Sequence, residues 1–301
     1  MWVEEPFSLT VVVPTHGGRR SLANTVNAVL AQRGCELEVI VVSDGEIEPV
    51  RAVLAAVDDE RLRIIAQRNS GPAGARNLGL SQAKSSWVAF VDDDDIPRED
   101  WGEVWASNAR DGDAVVTACV KHWVGDDVLE EERCCALDSR DATMAASRLL
   151  AGAFVARREA LIAIGGYDPS LRVSENQDLG LRLLGFLHEN GLSGGIRNVH
   201  RVVLDVFTER PDSRKRRYGE SRAKAAKTLQ HRYPERLAVD PEYAASLHRI
   251  VALSALERGD SREFRSSAVA AVRSQPTRWS NWRFLLAASS PTLARSLLAR
   301  G

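Results

Sequence analysis

Four consecutive carboxylates, Asp92-Asp93-Asp94-Asp95, close the apolar run Trp87-Val88-Ala89-Phe90-Val91. Two carboxylates about 4 Å apart repel by roughly 4 kcal/mol at an effective dielectric near 20. Such a cluster at a strand end therefore needs solvent, basic neighbours or a bound cation. Oxygen-only ligands suit a hard divalent ion, Mg²⁺ or Mn²⁺, which keeps waters and shares its sphere with substrate phosphates. The blander reading of the run is a solvated turn. A second acidic pair, Glu175 and Asp178, is three residues apart, so both project from one helix face toward the same spot. Ser174 with Gln177 three later reads as a capping box that starts this helix. Asp178 also reads as an i+4 partner of Arg182, and Glu175 as an anion favoured by the helix dipole.

The elements needed to bring these groups together are legible as an alternation of β-branched runs and helical patterns. That alternation is the signature of a largely parallel sheet covered by helices. Leu9–Val13 is a buried strand stopped by Pro14, and a helix spans Ser21–Gln32 with Gly34 behind it. Leu37–Val42 is the second strand, closed by Ser43-Asp44-Gly45. A helix over Pro49–Val57 leads to a strand at Leu62–Ala66, a loop at Ser70–Gly74 and a helix at Ala75–Ala83. Further strands are expected at Ala114–Val120, Gly152–Ala156 and around Val202–Leu204. In an open α/β sheet, ligands bind beyond the carboxyl ends of the strands. Pro14-Thr15, Asp44 and Asp92 all fall at such ends, so three distant segments converge on one crevice. Asp44 before Gly45 reads alternatively as a turn-capping residue. Arg76 offers a planar fork for phosphate or for an acidic neighbour. Asp95 is a candidate cap for a helix beginning near Pro97.

Bulk properties narrow the class. Forty basic residues against forty-one acidic ones leave a formal charge of −1, which gives no global case for nucleic acid. No apolar run approaches the ~18–20 residues that a bilayer span requires. The N-terminus, Met1-Trp2-Val3-Glu4-Glu5-Pro6, is acidic where a secretory signal would be basic, so a cytoplasmic location is the expectation. Cys35, Cys119, Cys134 and Cys135 lack metal-ligand spacing and read as buried or incidental thiols. Composition changes near residue 210, where Arg210, Arg214, Lys215, Arg216 and Arg217 form a basic stretch. From Pro241 the pattern is helical, over Tyr243–Glu257, Ser261–Ser274, Arg278–Ala288 and Thr292–Arg300. The domain reading is 1–230 followed by a helical region, 231–301. One helical pair cannot bury its own apolar face. These helices are thus expected to dock on the first domain, a protein partner or a second copy of the chain.

Four motifs in order resemble the family 2 glycosyltransferases, which have the GT-A nucleotide-sugar-binding fold. They are Thr10-Val11-Val12-Val13-Pro14-Thr15, Glu38–Gly45, Gly71–Gly79 with its Ala75-Arg76-Asn77 core, and Phe90–Asp95. A fifth stretch, Gly165-Gly166-Tyr167-Asp168 followed by Ser174–Leu179, is similar to the family's acceptor-side segment. The resemblance covers about Ser8 to Arg217. It implies an α/β GT-A fold of mostly parallel strands with a helical C-terminal appendage. The implied activity is inverting, metal-dependent transfer of a sugar from a nucleoside diphosphate sugar, a uridine-linked one first, to an acceptor hydroxyl. In that frame Pro14, Thr15, Asp44, Arg76, Asp92, Asp93 and Arg214 bind the donor, with Asp44 accepting from a base N–H. Asp94 and Asp92 hold Mg²⁺ or Mn²⁺. The basic stretch around Arg214 resembles a loop that folds over the donor phosphates.

The chain departs from the family at Asn176, where the Asp often assigned as base stands. The base then falls to Asp178 or Glu175. Asp178 is preferred because the helix dipole lowers the basicity of a first-turn Glu175. Two rivals remain: a catalytically silent sugar-nucleotide-binding subunit, which Asn176 keeps alive, and a sugar nucleotidyltransferase, which Thr15–Arg20 matches only faintly. His200 is read as structural rather than metal-binding, and Trp101 with Trp105 as core or groove wall.

Overall fold

A computed structural model describes residues 7–124, 127–131, 149–192, 195–208 and 211–287. In chain order its strands are β1 (Ser8–Thr15), β2 (Glu36–Asp44), β3 (Leu62–Gln67), β4 (Trp87–Phe90), β5 (Ile96–Pro97), β6 (Val115–Val124), β7 (Asp127–Glu131), β8 (Phe154–Arg157) and β9 (Ile196–Thr208). They form one sheet ordered β3-β2-β1-β4-β8-β6-β9-β5, with β7 paired to β6. Strands β1 to β4 are mutually parallel where they pair. Strand β8 is antiparallel to β4 and to β6, and β9 is parallel to β6. The two reversals cancel. The carboxyl ends of β1, β2, β4, β6 and β9 therefore lie along one edge.

The near-continuous Val and Ile of β1 and β2 follow from burial on both faces, as in parallel sheets. Val11, Val13, Val39 and Val41 face one core layer with the helices Leu22–Leu30 and Trp101–Asn108. Val12, Ile40 and Val42 face the other, with Gly71–Gln82, Arg158–Ala163 and Glu175–Glu189. Trp101 and Trp105 are fully buried in the first layer, edge to face at 5.8 Å, with the Trp101 indole N–H donating to the Gly152 carbonyl. They are core.

Several local expectations are corrected. Pro14 does not stop β1, which runs on to Thr15 against Ser43. On its other side the ladder with β4 ends at Val12, so the missing Pro14 N–H costs no bond there. The expected loop at Ser70–Gly74 is the first turn of the helix Gly71–Gln82, because Pro72 has the fixed φ that suits a helix start. Pro97 belongs to β5, and the following helix starts only at Trp101. Asp95 caps no helix; it accepts the Phe207 N–H at 3.3 Å and ties β9 to the acidic loop. Ser174 makes no capping bond and is left-handed at φ 64°, so the helix starts without the capping box. Cys119 is disulfide-bonded rather than an incidental thiol. Cys35 is free and partly buried, and burial raises its pKa against the opposing pull of Arg61. Cys134 and Cys135 lie outside the described residues.

The chain divides into two compact units at Arg210/Pro211, earlier than the sequence reading placed the boundary. The reason is that Pro211–Arg232 is one continuous helix that packs with Pro241–Glu257. The second unit continues through Pro234–Val239, Ser261–Ser274 and Trp279–Ala287. Asp240 and Asp260 cap two of these helices through the N–H groups of Tyr243 and Glu263. Ala252, Ala255, Phe264, Ala268 and Phe284 give this unit a core of its own. The expected helix at Thr292–Arg300 lies outside the described residues. Among those described, no helix is long and apolar enough to cross a membrane.

Helix Gly71–Gln82 sits so close to β1 that a Cβ at Gly79 would collide with the Val12 side chain. Gly79→Ala is therefore expected to destabilise the chain by about 1–3 kcal/mol through overpacking, despite alanine's better helix propensity. Urea unfolding would check it; a stability equal to or above the parent's would contradict the packing.

Candidate active site

The acidic loop leaves β4 at the shared edge and distributes its four carboxylates among different partners. Asp92 Oδ1 accepts from Arg76 Nη2 at 2.6 Å, and its side chain is 39% exposed. Asp93 Oδ2 accepts the Thr15 hydroxyl at 2.5 Å, which joins the tips of β1 and β4. Burial pushes the Asp93 carboxyl above the ordinary carboxylate range, opposed by the Thr15 hydroxyl and Arg19. Asp94 Oδ2 accepts from Arg19 Nη1 at 2.7 Å. Arg19 was visible in the sequence only as part of a weak phosphate-loop likeness; its position is set by the turn after β1.

Arg76 is the centre of the arrangement. Its side chain is 4% exposed, and it also donates through Nη1 to Glu175 Oε1 at 3.1 Å. Its guanidinium lies 5.1 Å from the centre of the Tyr167 ring. Burial opposes its charge, but Asp92, Tyr167 and Glu175 outweigh burial and hold its pKa above the ordinary arginine value. With Nη1 and Nη2 each engaged by a carboxylate, Arg76 bridges two acidic residues, the acidic-neighbour alternative for its fork.

Neighbouring residues brace this bridge. Asn77 bonds the Tyr167 backbone twice, donating to its carbonyl at 2.8 Å and accepting its N–H at 2.7 Å. Gly166, at φ +67°, admits that approach, since a Cβ there would collide with the Asn77 amide. The Tyr167 hydroxyl donates to Asn176 Oδ1 at 2.9 Å, and burial raises the phenol pKa above its ordinary value. Asn77 and Tyr167 lay within quoted motifs, but only the tertiary contact gives them a task.

The two acidic residues of the Glu175–Glu189 helix part company. Glu175 reaches the shared edge through Arg76, with 14% of its side chain exposed. Asp178 is 0% exposed and accepts from Arg182 Nε at 2.7 Å. Arg182 in turn donates to the carbonyls of Ile164 and Gly166. Asp178 thus anchors the Gly165-Gly166 turn, and the structure does not bring it into the crevice.

Asp44 ends β2 with its carboxylate accepting from Gln67 Nε2 at 2.9 Å and from the Ser70 and Gly71 N–H groups, both at 2.8 Å. It fixes the start of helix Gly71–Gln82. A carboxylate offers about four lone-pair sites, so one acceptor position remains. His200 is exposed on β9. The Arg214 side chain lies outside what is described, although its backbone is the start of a helix rather than a loop.

Among the described residues, no three His, Cys, Asp or Glu side chains gather into a ready-made metal cage. A magnesium-type ion needs no such cage, since it takes one or two carboxylates and completes its shell with water and substrate phosphate. Asp94, paired with the half-exposed Arg19, and the second oxygen of Asp92 supply such a partial set.

If Asp178 is an anchor, Asp178→Asn should lower unfolding free energy by about 3 kcal/mol, the scale of breaking a buried pair. Thermal and urea unfolding would read it. An unaffected stability would contradict the anchoring role.

Residues 10–153 match the model of Glycosyl transferase family 2. The succinoglycan biosynthesis protein ExoO of Rhizobium meliloti is 40% identical over 93 residues, covering 31% of this chain and 27% of that protein. The pre-mycofactocin glycosyltransferase of Mycobacterium tuberculosis is 31% identical over 245 residues, covering 76% of this chain and 49% of that one. The chain thus spans half or less of these relatives. Among solved structures, S. aureus TarS 1–349 superposes with a TM-score of 0.55 at 17% identity, over 96% of this chain and 89% of that one. The same protein has been solved in complex with UDP-GlcNAc, again at a TM-score of 0.55. The GT-A fold and the strand-edge motifs agree with this match, which places residues 10–153 with glycosyl transferase family 2.

Proposed function

We propose that the chain transfers a sugar from a uridine diphosphate sugar to an acceptor hydroxyl with inversion, using Glu175 as the base. The observation that carries this reading is the Arg76 bridge, which joins donor-side Asp92 to acceptor-side Glu175. The acceptor oxygen attacks the anomeric carbon, its proton passes to Glu175, and the bond from that carbon to the diphosphate oxygen breaks. The nucleoside diphosphate leaves with the electron pair. Glu175 takes the role rather than Asp178 because only Glu175 has surface at the crevice, while Asp178 is sealed against Arg182. Asn176 at the usual base position accepts the Tyr167 hydroxyl and adds no further negative charge beside Glu175 and Asp92. The last acceptor site of Asp44 is available to a base N–H, and TarS, with a complex of UDP, supports a uridine donor.

Mg²⁺ or Mn²⁺ held by Asp94 and Asp92 would offset the charge developing on the leaving diphosphate. Arg19 adds a cation at the same place, its side chain 59% exposed where it bonds Asp94. Asn176 favours one second reading, a subunit that binds the donor without transfer. Retained donor binding with neither hydrolysis nor transfer would identify it.

Glu175→Gln is expected to lower turnover by about 10²–10⁴-fold with donor affinity retained. Turnover and UDP titrations on the same preparation separate the two, and unchanged turnover would place the base elsewhere. Asp94→Ala is expected to abolish metal-dependent donor binding. A variant with the parent's turnover and EDTA response would remove Asp94 from the ligand set.

A further inference from the structure

Two aromatic side chains at the shared carboxyl edge belong to neither core layer. Trp123 near the end of β6 and Phe207 near the end of β9 are register partners, so their side chains leave the same face of the sheet. Their rings are nearly parallel, 13° apart with centroids at 6.3 Å, and Phe207 is 42% exposed. The Trp123 ring is held in place: its indole N–H donates to Asp205 Oδ1 at 2.8 Å, and Asp205 is itself clasped by Arg98 through two bonds. Lys121 carries its ammonium 4.5 Å from the Trp123 ring centre. The result is a stacked aromatic pair, with Phe207 exposed, rimmed by a cation and a carboxylate. It adjoins an open groove of about 730 Å³ that Ile96, Arg98 and Asp205 help to line.

Its location relative to the proposed chemistry follows from strand order. Asp44, which marks the donor-base end, is on β2, while β1, β4 and β8 intervene before β6 and β9. The Asp92–Asp95 loop lies between, and the Asp95 carboxylate accepts the Phe207 N–H. A ligand on these rings is therefore beside the acidic loop on the side away from the nucleobase.

We propose that Trp123 and Phe207 form the acceptor subsite, and that the acceptor is a saccharide with a pyranose face lying on these rings; this rests on the glycosyltransferase reading above. The C–H groups of a pyranose face are attracted by the negative face of an aromatic ring. The hydroxyl rim of the same sugar meets Lys121, Asp205 and Arg98. A flat apolar face with a polar rim is what this surface complements. A simple polyol acceptor lacks that combination.

The test uses the 301-residue chain labelled with ¹⁵N, with UDP and Mn²⁺ present. Its Trp123 indole resonance is identified by its loss in Trp123→Phe. Neutral gluco-, galacto- and manno-configured disaccharides are titrated against it, with mannitol as a polyol lacking a ring face. At least one disaccharide should shift the resonance saturably while mannitol does not. Phe207→Ala should weaken that disaccharide tenfold or more, and Phe207→Tyr should keep it within about twofold. If no disaccharide moves the resonance, or Phe207→Ala binds as tightly as the parent, the proposal is overturned. A parent protein that binds no UDP would overturn the donor reading instead, and the saccharide titration would still stand on its own.

Discussion

The arrangement at the sheet edge depends on one buried guanidinium. Taking the Arg76 charge out of water costs several kcal/mol even after relaxation. That cost is offset only because Asp92 and Glu175 reach it from two segments remote in sequence. The acidic loop, the helix Gly71–Gln82 and the start of helix Glu175–Glu189 are thereby held to one point. Losing either carboxylate would leave the other to compensate a charge with almost no solvent access. Asn77 and Gly166 close the same junction by fixing Tyr167 under the guanidinium.

The second constraint is directional. Strand β8 reverses the sheet once against β4 and once against β6, which returns β6 and β9 to the orientation of β1. Without that double reversal, the tips of β6 and β9 would point to the opposite edge from Asp44, Thr15 and Asp92. The sheet thus extends one edge in two directions, with Asp44, Thr15 and Asp92 on the side at β2-β1-β4 and the aromatic pair on the side at β6-β9. Asp95, buried between them, links the halves through its bond to the Phe207 N–H of β9.

Charge distribution within the acidic loop follows from the same geometry. Four adjacent carboxylates repel one another less when each has its own donor: Arg76, Thr15, Arg19 and the Phe207 N–H. The donors differ in what they leave available. Asp93 and Asp95 are buried and spent on structure, whereas Asp92 and Asp94 retain exposed oxygen. A run that looks uniform in sequence therefore divides into alternating structural and solvent-facing members, set by the turn in which the Asp95 N–H bonds the Asp92 carbonyl.

The β-branched runs of β1 and β2 determined the parallel half of the sheet, since only burial on both faces explains such unbroken Val and Ile. The motif order from Thr10 to Asp95 likewise determined the family and put Thr15, Asp44 and Asp92 on one edge. What the sequence could not decide was which acidic residue on a helix meets solvent. Glu175 and Asp178 have the same type and face, and only packing of the Gly165-Gly166 turn onto Arg182 seals Asp178 away. The role of Arg76 was ambiguous for the same reason, because a fork that suits phosphate also suits two carboxylates. The pairing of Trp123 with Phe207 had no local signature at all, since register between strands more than eighty residues apart is a property of the folded sheet. Local pattern fixes which element forms and where it ends; burial and partner choice arise only when distant segments compete for the same space.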